Sequence, residues 1–120
     1  MAIKYSFMVE KELLRVKATG NDDNLEDVNN YGLAVITAAV SAGTSKVLCD
    51  ETELIYRLSA FDTFESAKFI SENAPMIGKV AIVCNANQIE DASFWETVAV
   101  NRGLQVKVCR TVKEAENWLV

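Results

Sequence analysis

The sequence predicts one α/β domain built on a mixed β-sheet that opens with a β-hairpin. Three observations carry this. Val80-Ala81-Ile82-Val83-Cys84 and Leu104 to Cys109 are short apolar runs rich in β-branched residues, the pattern of strands covered on both faces. Between them, Ile89, Phe94, Trp95, Val98 and Ala99 recur at roughly helical spacing and supply the crossover that a parallel pair requires. At the start of the chain, Ile3, Tyr5, Phe7 and Val9 alternate with Lys4, Ser6 and Met8, and Leu14, Val16 and Ala18 with Arg15 and Lys17. Two alternating runs joined by Glu10-Lys11-Glu12 make a hairpin with one face on the core.

The elements follow in the order β, β, α, β, α, β, α, β, α. After the hairpin, Thr19 to Asn24 is a loop by composition, and the first helix is capped by Asp22, Asp23 or Asn24. Glu26 and Asp27 lie in its first turn, where the helix dipole favours acids. Leu25, Val28, Gly32, Val35, Ile36, Ala39 and Val40 mark its buried face, and Gly43 ends it. Lys46 to Asp50 is a third strand. Residues 51–60 fit a loop, a short strand or a helical turn. A second helix follows from Phe61, with Asp62 and Glu65 at the spacing of an N-cap and its reciprocal acid, and Asn73-Ala74-Pro75 stops it. Gly103 ends the third helix, and Thr111 with Glu114 opens the fourth. Four helices therefore cover the sheet.

At 120 residues the chain is one domain, 1–120, without visible repeat or linker. A net charge of -5 with scattered Lys and Arg excludes a phosphate-backbone binder, so no nucleic-acid partner is expected. The most apolar run, Leu33 to Ala42, falls far short of a membrane span, and Met1 to Val9 has no secretory character. A cytoplasmic protein with reduced, mostly buried Cys49, Cys84 and Cys109 is the simplest expectation.

In element order the whole chain resembles the STAS domain, the fold of bacterial anti-sigma-factor antagonists and of the cytoplasmic tails of sulfate transporters. Its last third is also similar in residues to small stand-alone bacterial STAS-like proteins. The matching features are Val80-Ala81-Ile82-Val83, a helix ending Asn101-Arg102-Gly103, Val106-Lys107-Val108, and a closing helix with Glu114-Ala115 and Trp118-Leu119. Phosphorylated antagonists carry Asp-Ser-Ser-Gly-Leu at the start of the second helix. Here that place reads Asp62-Thr63-Phe64-Glu65-Ser66, so the phosphorylated serine falls on Phe64 and only Thr63 matches a neighbouring serine. Partner switching is not carried over.

The chain has no histidine, G-x-G-x-x-G, P-loop, G-x-S-x-G or zinc spacing. No catalytic residue, metal ligand or cofactor is assigned, and the expected class is a non-enzymatic binding or regulatory module. The resemblance implies a protein partner or self-association through the second helix start and the loop before it. The candidate binding residues are Tyr56, Leu58, Phe61, Asp62, Thr63 and Phe64, with Thr63 also the candidate phosphorylation point. One narrow helical stripe cannot bury Phe61, Phe64, Ala67, Phe69 and Ile70 together, so some aromatic surface should stay accessible. The alternative is a small-molecule or lipid-binding domain with an apolar cleft near residues 54–64. A third reading is a metal-dependent enzyme using Asp50, Glu51 and Glu53, against which stands a solvated acidic loop paired with Arg57 or Arg110.

Overall fold

A computed structural model of the chain describes residues 3–120. Its elements are β1 (Ile3–Glu10), β2 (Leu13–Asp22), α1 (Leu25–Ala42), β3 (Lys46–Tyr56), α2 (Ala60–Glu72), β4 (Lys79–Cys84), α3 (Ile89–Asn101), β5 (Val106–Cys109) and α4 (Val112–Leu119). A short 3-10 turn, Ala86–Gln88, precedes α3. The strands form one sheet in the order β1-β2-β3-β4-β5. β1 and β2 are antiparallel, and all later pairs are parallel.

Because the strand order never reverses, right-handed crossovers place successive helices on the same face. Residues of α1, α2 and α3 accordingly share one core with Leu14, Val16, Val47 and Cys49. α4 follows the last strand and packs on the opposite face through Ala115 and Leu119, against Leu48, Ala81, Val83 and Cys109. Val47 and Cys49 of β3 thus feed one core and Leu48 the other, as expected of a strand covered on both sides.

Local chemistry sets the element ends. Asn24 caps α1 by accepting from the Asp27 N–H at 2.9 Å. Gly43 closes α1 at φ 71°, in the left-handed region that costs glycine least. Thr111 caps α4 by accepting from Glu114 N–H, while Glu114 Oε1 accepts from Arg110 N–H.

Several boundaries differ from the sequence expectation. β2 does not end at Ala18: residues Thr19 to Asp22 continue the ladder beside Glu53 to Tyr56. Their loop-like composition is overridden by pairing with a neighbour strand, which depends on context more than on propensity. α2 begins at Ala60 under a Ser59 cap, two residues before the Asp62 start; Ser59 Oγ accepts from Asp62 N–H. On α1, Tyr31 is buried and Val40 is exposed. Gly32 makes its close approach to Ile70 of α2, not to the sheet. On β1 only Ile3 is buried; Tyr5, Phe7 and Val9 stay accessible because the edge strand runs beyond the helical layer. Phe94 faces outward from α3, whereas Trp95 packs on the core and donates its indole N–H to Ser66 Oγ.

Candidate functional site

Between the sheet and α1–α3 lies a cavity of about 120 Å³. Its walls include Val28, Val35 and Ile36 of α1, Leu54 of β3, Ser66 and Ile70 of α2, and Ala92 and Trp95 of α3. Val80 and Ile82 also face it. They sit on an interior strand and are nevertheless only half-buried, since no side chain among the described residues fills the space above them. Asp91 and Leu58 lie at the rim: Asp91 is exposed and Leu58 half-exposed.

A β-bulge places the polar corner of this cavity. Between Lys17 and Thr19, β2 advances two residues while β3 advances three, from Asp50 to Glu53. The additional residue reverses the side-chain parity of β3. Val47, Cys49 and Glu51 face the cavity before the bulge, and Leu54 and Tyr56 face it afterwards. Asp50 and Glu53 are turned toward Lys17, whose Nζ donates to both at 3.3 and 3.2 Å. The Asp50 carboxylate also accepts from the Thr52 hydroxyl and N–H. Burial would raise the Asp50 carboxyl, but the Thr52 hydrogen bonds and the Lys17 charge hold it below the usual carboxylate range.

Glu51 is the only acid of the three that is buried, at 7% exposure. Its Oε2 accepts from the Tyr31 hydroxyl at 2.8 Å and its Oε1 from the Tyr56 hydroxyl at 2.7 Å. Burial pushes its carboxyl up to about 7, against the pull of the two phenols, with the Asp22 and Asp50 charges adding to the rise. Burial likewise drives both phenols well above the ordinary tyrosine value. Asp22, also in the cavity wall, is pushed up to about 6 by burial; backbone N–H donors of Arg57 and Leu58 partly offset this. The expectation of a solvated acidic loop paired with Arg57 or Arg110 is therefore corrected. The segment is strand, its base is Lys17, and Arg57 lies 4.0 Å from Asp23.

The segment leading from β3 into α2 is fixed from two sides. Gln88 accepts from Tyr56 N–H and donates to Leu54 O, both at 2.7 Å, and so continues the ladder where β4 has ended. Asp22 accepts from the Arg57 N–H on the other side.

The six candidate residues divide into two sets. Tyr56, Leu58 and Thr63 line the cavity. The Thr63 hydroxyl is buried and donates to Ser59 O at 2.8 Å, so it is not presented to solvent. Asp62 is partly exposed in the first turn of α2. Phe61 projects outward at 70% exposure. Phe64 is half-buried, and the Arg102 guanidinium lies 5.4 Å from its ring centroid. Sequence reasoning missed Tyr31 and Glu51 as a pair and missed Asp22 and Gln88. The available signal was Tyr31 within the apolar stripe of α1, one turn before Val35.

All three cysteines are free and buried. Burial raises each thiol, Cys109 to about 11, so none is a ready thiolate. Cys49 and Cys109 belong to different cores on opposite faces of the sheet. Among the described residues, no group of three or more His, Cys, Asp or Glu side chains is placed to hold a metal ion, and no helix is long and apolar enough to cross a membrane.

No family model and no curated protein matches the chain. Among solved structures it is similar to an uncharacterised protein from Shewanella loihica, of a family of unknown function with a SpoIIAA-like fold. That match has a TM-score of 0.62 and 20% identity, covering 99% of this chain and 94% of the other. It is also similar to an anti-sigma factor antagonist from Mycobacterium paratuberculosis, with a TM-score of 0.65 and 14% identity over 98% of this chain and 94% of the other. At these identities the likeness establishes the fold, which is STAS-like.

Proposed function

We propose that the chain is a non-enzymatic regulatory binding module that takes a small, mainly apolar ligand into the cavity beneath α1–α3. The observation that supports this is the cavity itself, apolar over most of its wall, with the buried carboxyls of Glu51 and Asp22 in it. Ligand sites have this composition: apolar walls for affinity and a few polar groups for orientation. The strand order has no reversal, so the usual crevice at a topological switch point is absent, and the mainly apolar space under the helices is the candidate ligand site.

A protein partner is the second reading. Phe61 stands exposed at the start of α2, and an anti-sigma factor antagonist shares the fold. The two readings meet in one segment, because Tyr56, Leu58 and Thr63 touch the cavity while Phe61 lies among them on the outside. Ligand occupancy would then set the shape of the surface offered to the partner.

Native mass spectrometry of the purified chain, followed by benzene titration monitored through amide shifts, tests the cavity reading. A retained low-mass species, or shifts confined to cavity residues, is expected. A clean chain mass together with unperturbed cavity amides would overturn it.

A further inference from the structure

We propose that the cavity holds a compact ligand with an apolar body and a positively charged amine head that hydrogen-bonds to Glu51. The inference rests on the cavity reading above and names the ligand class.

Size limits the body. A cavity of about 120 Å³ is comparable to an apolar protein cavity of about 150 Å³ that accommodates benzene. One ring or one short branched alkyl group fits; a long acyl chain does not. The lipid alternative is thereby narrowed to small molecules.

Charge selects the head. The ionisable side chains in the wall include the acids Asp22, Glu51 and Asp91, and no Lys or Arg is among the described lining residues. Anionic heads such as carboxylates and phosphates meet only repulsion there. The hydrogen-bonding inventory gives the same answer. Tyr31 and Tyr56 spend their single O–H donors on Glu51, leaving oxygen lone pairs. A carboxylate has about four acceptor positions, of which two are used here. With Glu51 ionised, the corner is rich in acceptors and poor in donors, so its occupant must donate. An ionised Glu51 has no cation among the lining residues, and a buried carboxylate without one is strongly disfavoured. A ligand ammonium supplies that cation and a charge-assisted hydrogen bond. The raised Glu51 carboxyl fits a site that is incomplete when empty.

The test uses one body with three heads: 3-methylbutylamine, 3-methylbutanol and 3-methylbutanoate. Each is titrated into the full chain at pH 8. The Trp95 indole N–H resonance reports from the cavity wall, with that of Trp118, which packs in the other core, as the internal control. The amine should bind roughly tenfold or more tightly than the alcohol, and the acid should not bind. Glu51→Gln should reduce the amine's advantage over the alcohol from roughly tenfold to less than about twofold. Independently of any variant, the preference for the amine should shrink between pH 8 and pH 5 as Glu51, and then Asp22, take up their protons. Equal binding of amine and alcohol, or binding of the acid at least as tight as that of the amine, overturns the head-group inference while leaving the cavity reading intact. If no compound perturbs Trp95 or the cavity amides, both fall.

Discussion

The Tyr56 hydroxyl donates to Glu51 Oε1 at 2.7 Å although the two residues lie five apart on the same strand. In a regular strand, residues an odd number apart point to opposite faces. The bulge between Asp50 and Glu53 removes that separation. It lets one strand deliver an acid, its phenolic donor and the apolar Leu54 to the same cavity. The third member, Tyr31, arrives from α1 on the neighbouring layer.

Glu51 predicts how stability varies with pH. Its carboxyl lies near 7 in the folded chain, against an ordinary 4.5. The unfolded chain therefore releases this proton first, and the folded state binds more protons across the interval. Its stabilisation is complete below the unfolded value and is lost as pH rises through about 7. Asp22, near 6, acts in the same direction over a slightly lower range. Urea unfolding of the ligand-free chain should show stability falling between pH 4 and pH 7 by on the order of 2–3 kcal/mol from Glu51. Glu51→Gln should remove that part of the slope and leave the Asp22 part. A wild-type profile flat over this range would contradict the assignment.

Gln88 predicts local order. Its amide satisfies one N–H and one C=O of β3 beyond the end of β4. Gln88→Ala removes two hydrogen bonds, each worth about 1 kcal/mol. The expected cost is on the order of 1–2 kcal/mol in global stability. Hydrogen exchange should accelerate at Tyr56 N–H while the Val83 N–H stays protected. Unchanged exchange at Tyr56 would mean that the clamp does not hold the segment.

The legibility of this chain follows the regularity of its strands. β4 and β5 were readable because unbroken apolar runs fit strands buried on both faces. β3 was readable as far as Asp50 and then lost, because the bulge breaks the period-two pattern on which the reading depends. Leu54 and Tyr56 share a face with Glu51 only by virtue of that break, and no local residue signal announces it. The far end of β2 was lost for another reason: Gly20-Asn21-Asp22 has loop composition, and its strand conformation comes from pairing with β3. β1 failed in the opposite direction. Its alternation is regular, yet Tyr5 and Phe7 stay exposed: the Tyr5 ring meets Tyr31 at 5.4 Å and Phe7 at 5.5 Å, and the face stays open.

Gly32 offers a way to fill the cavity without touching its polar corner. A Cβ there would lie 2.1 Å from Ile70 Cδ1 and 3.0 Å from Ile70 Cγ1. The neighbour that must yield is the flexible end of a side chain that lines the cavity. Gly32→Ala should therefore turn Ile70 into the open space. The gain in helix propensity is about 1 kcal/mol, and the adjacent void relieves overpacking that would otherwise cost about 1–3 kcal/mol. Stability should change little while benzene binding weakens severalfold. Binding at wild-type strength would show that Ile70 finds room elsewhere.

The last prediction separates the two phenylalanines at the start of α2. Phe61 is 70% exposed and contributes little to the fold. Phe61→Ser should stay within about 0.5 kcal/mol of wild type, as for a surface change. Phe64 packs on the core and beneath Arg102, so Phe64→Ser removes apolar contacts and the cation–π contact together. Its cost should be on the order of 2–3 kcal/mol, below that of truncating a fully buried Phe. The proposed partner surface then has a clean probe, because only the first variant leaves the fold intact. Sedimentation of the Phe61→Ser chain beside wild type reports self-association directly. If wild type is a dimer, the variant should shift toward monomer; a dimer that persists unchanged would remove Phe61 from the contact and leave the open face of β1 as the surface to test.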